Sequence, residues 1–333
     1  MKILVTGGTG FVGKPLVRTL VAKGQSVTVF ARQDDIDRPD GVGLIAGDIC
    51  DKGLLRPAVK GIDCVFHLAS CKDETDKRLW QTNVEGTKIL TELCREQKVK
   101  RIIYLSHAGV LGEHFEPAHE HAAHKPQSKY DKSVAAAENI IRHCGVPYTI
   151  VRSPPILGTN KFWLDVIHAA RKSSLDTGSN KFHVIHLDDA VKALFAMLTK
   201  TTANQIFHIG TKDIMTSREL IDALMKETKT KSQERSRWSK IIGNTEIEPH
   251  HAKLMKRNFA LSTRKAKEIL GFEPYYTTPA GIHEMVKEMN SDGLLAVSSE
   301  KKIVVKKARP EMKMKPAKTK RNFTYSYEDR KKK

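Results

Sequence analysis

Residues 2–13, KILVTGGTGFVG, constrain the fold more than any other stretch. A short apolar strand, KILVT, runs straight into a glycine turn. The turn opens an amphipathic segment, VGKPLVRTLVAKG (12–24). Gly7, Gly10 and Gly13 fall in a G-x-x-G-x-x-G spacing. Gly7 allows the tight turn, Gly10 lets a pyrophosphate approach the backbone, and Gly13 lets the helix lie close to the strand. The N-terminus of that helix offers unpaired N–H groups and the positive end of its dipole, which suits a phosphate. We read Gly7, Gly10, Phe11, Val12 and Gly13 as one wall of a dinucleotide pocket.

The rest of the chain supports that first unit. Short apolar runs follow at SVTVFA (26–31), GVGLIA (41–46), DCVFHLA (63–69), RIIYLS (101–106) and PYTIVR (147–152), with helical patterns between them. Strands alternating with helices predict a parallel sheet covered on both faces, a Rossmann-like doubly wound α/β fold. Two further strands are predicted at KFHVIH (181–186) and QIFHIG (205–210). Helices are predicted over 188–200 and 217–228. STRKAKEILG (262–271) reads as a short helix with a Ser or Thr N-cap and a C-terminal glycine. The expected layout is a dinucleotide-binding domain over 1–155, with strands near 181–210 returning to it. A smaller substrate subdomain follows over 156–291, and a Lys/Arg-rich tail over 292–333.

The end of the second strand bears on cofactor choice. An acid there bonds a ribose 2′-OH; a cation pairs with a 2′-phosphate. The sequence has Ala31 and Arg32, with Lys14 just after Gly13, and arginine matches phosphate through its bidentate fork. NADP(H) is therefore favoured over NAD(H), the alternative being Asp34 or Asp35 on an NAD ribose.

Taken in order, TGGTGFVG, GDICD (47–51), HLAS (67–70), TNVEGT (82–87), YLSHAGVLG (104–112), Tyr130, VRSPPILG (151–158), HVIHLDDAV (183–191) and FALSTRKAKEILGFEP (259–274) resemble the extended short-chain dehydrogenase/reductase superfamily, in its NAD-dependent epimerase/dehydratase branch. The resemblance spans residues 1 to about 290. It implies that Asp48 and Ile49 flank the adenine and that Leu68, Ala69, Asn83 and Tyr130 line the nicotinamide side. It also implies a nucleotide sugar or similar hydroxyl/carbonyl substrate, and Lys161, Arg171 and Lys172 are cations available for a substrate diphosphate. Relatives often dimerise through the helices carrying the NVEGT and Tyr130 segments, and VAAAENII (134–141) has small apolar side chains suited to such a homodimer.

The chemistry implied by the family uses a Ser or Thr, a Tyr, and a Lys four residues after the Tyr. The lysine lies on the same helix face, lowers the phenol pKa and holds the ribose. Tyr130 fits the tyrosine, but the lysine position is Val134. The hydroxyl position is His107, with Ser106 one residue before it. Adjacent strand residues face opposite sides, so Ser106 could serve only where the strand end bends. Three readings stay open: a cofactor-binding scaffold or sensor without turnover; a rewired site in which His107 and Tyr130 share the proton work; or a shifted alignment in which Ser106 and a nearby lysine, Lys129 or Lys132, keep the usual roles.

Composition adds limits rather than mechanism. Five scattered cysteines without a CxxC pair suit a reducing, cytoplasmic setting. No apolar run reaches the roughly 18 residues of a membrane span, and the N-terminus lacks a signal-peptide pattern. Net charge is +19, and residues 300–333 hold 14 Lys and Arg against 4 Asp and Glu. That tail suits a polyanion such as RNA, or a protein partner through Phe323, Tyr325 and Tyr327; the plainer alternative is a solubilising tail. Residues 112–130 carry four histidines and three glutamates, but in no defined zinc spacing, and we expect a polar loop rather than a metal site.

Overall fold

The computed structural model describes residues 1–32, 38–171, 178–199, 202–229 and 249–295. The first unit is as the sequence predicts: β1 (Lys2–Thr6), α1 (Gly13–Ala22) and β2 (Ser26–Ala31). Then come β3 (Gly43–Ala46), α2 (Lys52–Val59), β4 (Cys64–His67), a π-helical turn (Gln81–Glu85) leading into α3 (Gly86–Glu96), and β5 (Arg101–His107). After a long loop follow α4 (Lys129–Arg142), β6 (Tyr148–Ser153), β7 (Ile156–Leu157), α5 (Lys161–Arg171), β8 (Lys181–Phe182), β9 (Ile185–His186), α6 (Leu187–Ala196), β10 (Gln205–His208), β11 (Met215–Thr216) and α7 (Ser217–Glu227). The described chain closes with helices Pro249–Met255, Arg264–Leu270 and Thr278–Ser291.

Seven strands form one parallel sheet in the order β10-β6-β5-β4-β1-β2-β3. Both faces are covered, which is why the strands are near-continuously apolar. Ile3 and Val5 of β1 pack with Leu16 and Leu20 of α1 and Leu194 of α6. Leu4, between them, packs on the other face with Leu55 of α2 and Leu90 and Leu93 of α3. The third cluster joins Tyr104 and Ile150 of the sheet to α4, α5, α7 and the last helix. Strand polarity brings the ends of β1, β4 and β5 to one edge, where the glycine turn, the 67–72 loop and the start of α4 meet.

The predicted strand KFHVIH is divided in two. Lys181–Phe182 pairs with β11, while Ile185–His186 pairs with β7. Between them the His183 N–H donates to the Phe259 carbonyl at 2.8 Å. Each half thus finds backbone partners in a different small sheet. The helix after Thr263 ends at a left-handed Gly271, φ 59°, as its glycine implies. The expected Ser/Thr cap fails there, because no side chain bonds its first turn. Residues 230–248 and the tail from 296 lie outside the described residues.

Candidate functional site

The glycine turn closes against the end of β4. Gly7 has φ +71°, and a Cβ there would lie 2.6 Å from the Ala69 nitrogen and 2.7 Å from the Leu68 carbonyl carbon. At Gly13 a Cβ would lie 2.1 Å from the Gly7 carbonyl oxygen. Only glycine fits either place, so the turn, Leu68 and Ala69 form one cradle. No side chain caps α1 at Val12. Within its first turn the Lys14 N–H donates to the Gly10 carbonyl at 3.0 Å and Pro15 has no N–H, so the positive end of the helix dipole is what α1 offers an anion here. Phe11 is half-buried against the α1/α6 cluster. The residues present therefore fit a dinucleotide.

Arg32 is exposed at the end of β2. Beside the turn, Lys14, Arg18 and Arg38 line a shallow hollow together with Gly8, Val29 and Pro39. Arg32 is not among the lining residues; Arg18 follows Lys14 by one turn of α1, and Arg38 reaches the hollow only through folding. Asp34 and Asp35 lie outside the described residues. Asp48 is exposed and accepts from the Cys50 N–H at 2.9 Å, while Ile49 is buried against Gly86.

Asn83 is a structural tie. Its Oδ1 accepts from the Cys71 N–H at 2.7 Å, and its Nδ2 donates to the Cys71 carbonyl and to Ser133 Oγ, both at 2.9 Å. Ser133 Oγ in turn donates to the Tyr130 carbonyl at 2.7 Å. The loop after β4 is thereby pinned to the first turn of α4. Below it, His67 bonds Thr6 Oγ1 at 2.8 Å and Thr87 Oγ1 at 2.9 Å. Thr87 donates its own proton to the Asn83 carbonyl at 2.6 Å, so His67 must donate from Nε2. Burial pushes that imidazole down to about 4, which keeps it neutral. His67 stood within a quoted motif, yet no sequence signal gave it this role.

His107 and Tyr130 come together, with ring centroids 5.6 Å apart. Burial pushes the Tyr130 phenol up to about 12, and Ser70 only partly offsets it. No lysine corrects this. Val134 is 2 % exposed, inside the apolar cluster, and Lys129 and Lys132 are exposed. Tyr130 is accordingly uncharged near neutrality.

Ser106 turns to the other face of β5, as strand alternation requires. It is 4 % exposed, and its hydroxyl donates to Glu138. Glu138 also takes Arg152 Nη2 at 2.7 Å and approaches His124 Nε2 at 2.9 Å. Burial would push the Glu138 carboxyl up, but His124, Arg152 and Ser106 hold it at about 2. Ser106 therefore belongs to a buried ion-pair network and not to the face that holds His107. A cavity of about 300 Å³ lined by His121, His124, Arg142, Arg152 and Ile206 adjoins this network rather than His107.

Two residues beyond the sequence reading complete the site. Asp131 Oδ1 lies 3.5 Å from His107 Nδ1, and Asp131 Oδ2 takes Arg257 Nη1 at 2.9 Å. Phe259 forms the floor, 6.0 Å from the His107 ring and 5.2 Å from the Arg257 guanidinium. Arg171, expected as a substrate cation, is buried, and Lys172 lies outside the described residues.

Residues 3–210 match the NAD dependent epimerase/dehydratase family. The chain belongs to that family. Among curated relatives of this family member, y4nG of Sinorhizobium fredii, an uncharacterized protein, is 27% identical over 301 residues, covering 82% of this chain and 75% of its own. The dTDP-glucose 4,6-dehydratase of Streptomyces niveus is 25% identical over 321 residues, 86% of this chain and 92% of that one. Among solved structures, the dTDP-glucose 4,6-dehydratase DesIV of Streptomyces venezuelae, with NAD and TYD bound, superposes with a TM-score of 0.75 at 22% identity. It covers 88% of this chain and 98% of that one, a likeness of fold. Among the described residues of this family member, no helix is long and apolar enough to cross a membrane.

Proposed function

We propose that this epimerase/dehydratase family member is a nicotinamide-dependent enzyme acting on a nucleotide sugar or a similar hydroxyl/carbonyl substrate, with His107 as its proton carrier and Tyr130 as a neutral donor. The observation that carries the reading is the paired rings of His107 and Tyr130, with a carboxylate at His107 and no lysine at Tyr130. A phenol near 12 cannot serve as a base around neutrality. A histidine can exchange a proton there. A bound nicotinamide supplies or accepts the hydride; Gly7, Gly10, Gly13, Leu68 and Ala69 would hold it. Lys14, Arg18 and Arg38 around the hollow and Arg32 at the end of β2 support NADP(H), because cations there suit a 2′-phosphate. Relatives with nucleotide-sugar substrates support the substrate class.

Parallel titration with NADPH and NADH, then hydride exchange on a panel of nucleotide sugars, tests this reading. Tighter NADPH binding and turnover that is lost in His107→Gln are expected. A second reading, cofactor binding without turnover, is favoured by the burial of Val134 where the family has its lysine. Tight NADPH binding with no turnover on any substrate would select it. The homodimer and polyanion ideas rest on helix composition and tail charge. Equilibrium sedimentation and loss of RNA affinity on removing residues 300–333 would test them.

A further inference from the structure

We infer that Asp131 is the positioning residue that orients the His107 ring, and that Arg257 holds Asp131 in place. The inference rests on the reading of His107 as proton carrier. Nδ1 of the ring lies between two groups: the Gly109 N–H, which donates to it at 3.0 Å, and Asp131 Oδ1 at 3.5 Å. A neutral ring bonded to Gly109 carries its proton on Nε2. A charged ring turns an Nδ1–H toward the carboxylate. The two contacts thus serve the two protonation states of one ring, and Nε2 remains the atom that meets a substrate oxygen.

The backbone is shaped for this contact. A Cβ on Gly109 would lie 2.1 Å from Asp131 Oδ1 and 2.6 Å from His107 Nδ1. Any side chain at 109 would force the pair apart. Asp131 is fixed from three further directions. The Ser128 N–H donates to its Oδ2 at 3.1 Å, its own N–H donates to Ser128 Oγ at 3.0 Å, and Arg257 closes the other side. The charged and titratable groups facing the ring are Asp131 and Tyr130 from α4, with Arg257 behind Asp131 and the uncharged Phe259 below. Arg257 is 8 % exposed, and its Nε and Nη2 have no hydrogen-bond partner among the described residues. A buried, half-satisfied guanidinium costs stability. Its presence here has its reason in the carboxylate it holds.

Ring-nitrogen NMR of ¹⁵N-histidine-labelled protein, with turnover measured in parallel, tests the assignment. In wild type a pH series of spectra is expected to show the His107 ring in both the Nε2–H form and a form with Nδ1–H toward Asp131. Asp131→Asn keeps the cap acceptor, but its amide donates to Nδ1. That variant should hold the ring in the Nε2–H form throughout and lower kcat at least about 100-fold with KM unchanged. Arg257→Met should lower kcat about tenfold, and Arg257→Lys should recover much of that loss. Ring spectra in Asp131→Asn identical to wild type would overturn the assignment, whatever the turnover. Spectra that change as expected while His107→Gln keeps full turnover would uphold the orientation and remove the proton-carrier reading instead.

Discussion

At the scale of the residue, one substitution redistributes the chemistry. The family's lysine lowers the pKa of its tyrosine; with Val134 in its place, burial dominates at Tyr130 and Ser70 offsets only part of it. On the function proposed above, the proton work falls to the neighbouring imidazole. This predicts an inverted mutational order. His107→Gln should cost at least about 100-fold in the rate of hydride transfer, and Tyr130→Phe only about tenfold, because a neutral donor contributes one hydrogen bond. Single-turnover absorbance of the reduced nicotinamide reads both. Val134→Lys would place an ammonium within the apolar cluster around α4. We expect it to lower stability by several kcal/mol in urea unfolding rather than to restore the triad.

At the scale of the element, α4 is held by different chemistry on each side. Its first turn is tied through Ser133 and Asn83 to the loop after β4. Its middle is tied through Glu138 to Arg152 of β6, both buried. Breaking a buried pair leaves an uncompensated charge, so Arg152→Met should lower unfolding free energy by about 3–5 kcal/mol. Chemical denaturation followed by circular dichroism measures this. Replacing both partners with apolar residues of matched volume should recover most of the loss. At the start of α1, Gly13→Ala would drive a methyl into the Gly7 carbonyl. Both stability and NADPH affinity should fall, since the same close approach serves helix packing and the phosphate cradle.

At the scale of the whole molecule, buried histidines set the acid limit. Burial lowers His67 to about 4, and burial with the nearby Arg152 charge lowers His208 to about 3. Both lie below the unfolded value near 6.5. The folded state therefore binds fewer protons than the unfolded one. Stability from these groups is fully present above about pH 6.5 and is lost as pH falls through 4 and then 3. Glu138, held at about 2, adds a further loss below the ordinary carboxylate range. The urea midpoint should stay level above neutrality and decline progressively below about pH 6.5. A midpoint independent of pH between about 7 and 4 would show that these imidazoles charge freely in the folded state.

The sequence by itself determined the sheet and the glycine cradle. Those depend on local periodicity and on glycines in a fixed spacing; that His107 lies beside Tyr130 was one of three open readings, decided by the packing of β5 against α4. Strand alternation left Ser106 a catalytic place only where the strand end bends, and the structure keeps the alternation, turning Ser106 to Glu138. Only the tertiary structure decided that Asp131 and Arg257 complete the site. Asp131 reads in sequence as an ordinary residue of a helix first turn, and Arg257 lies 126 positions further on. Arg38 joins the hollow beside the glycine turn, and His67 becomes a neutral strut, for the same reason. Each depends on a partner brought near by chain reversal, and burial then fixes its charge. Propensity and spacing carry the elements; the pairing of distant polar groups in a low-dielectric interior sets the chemistry.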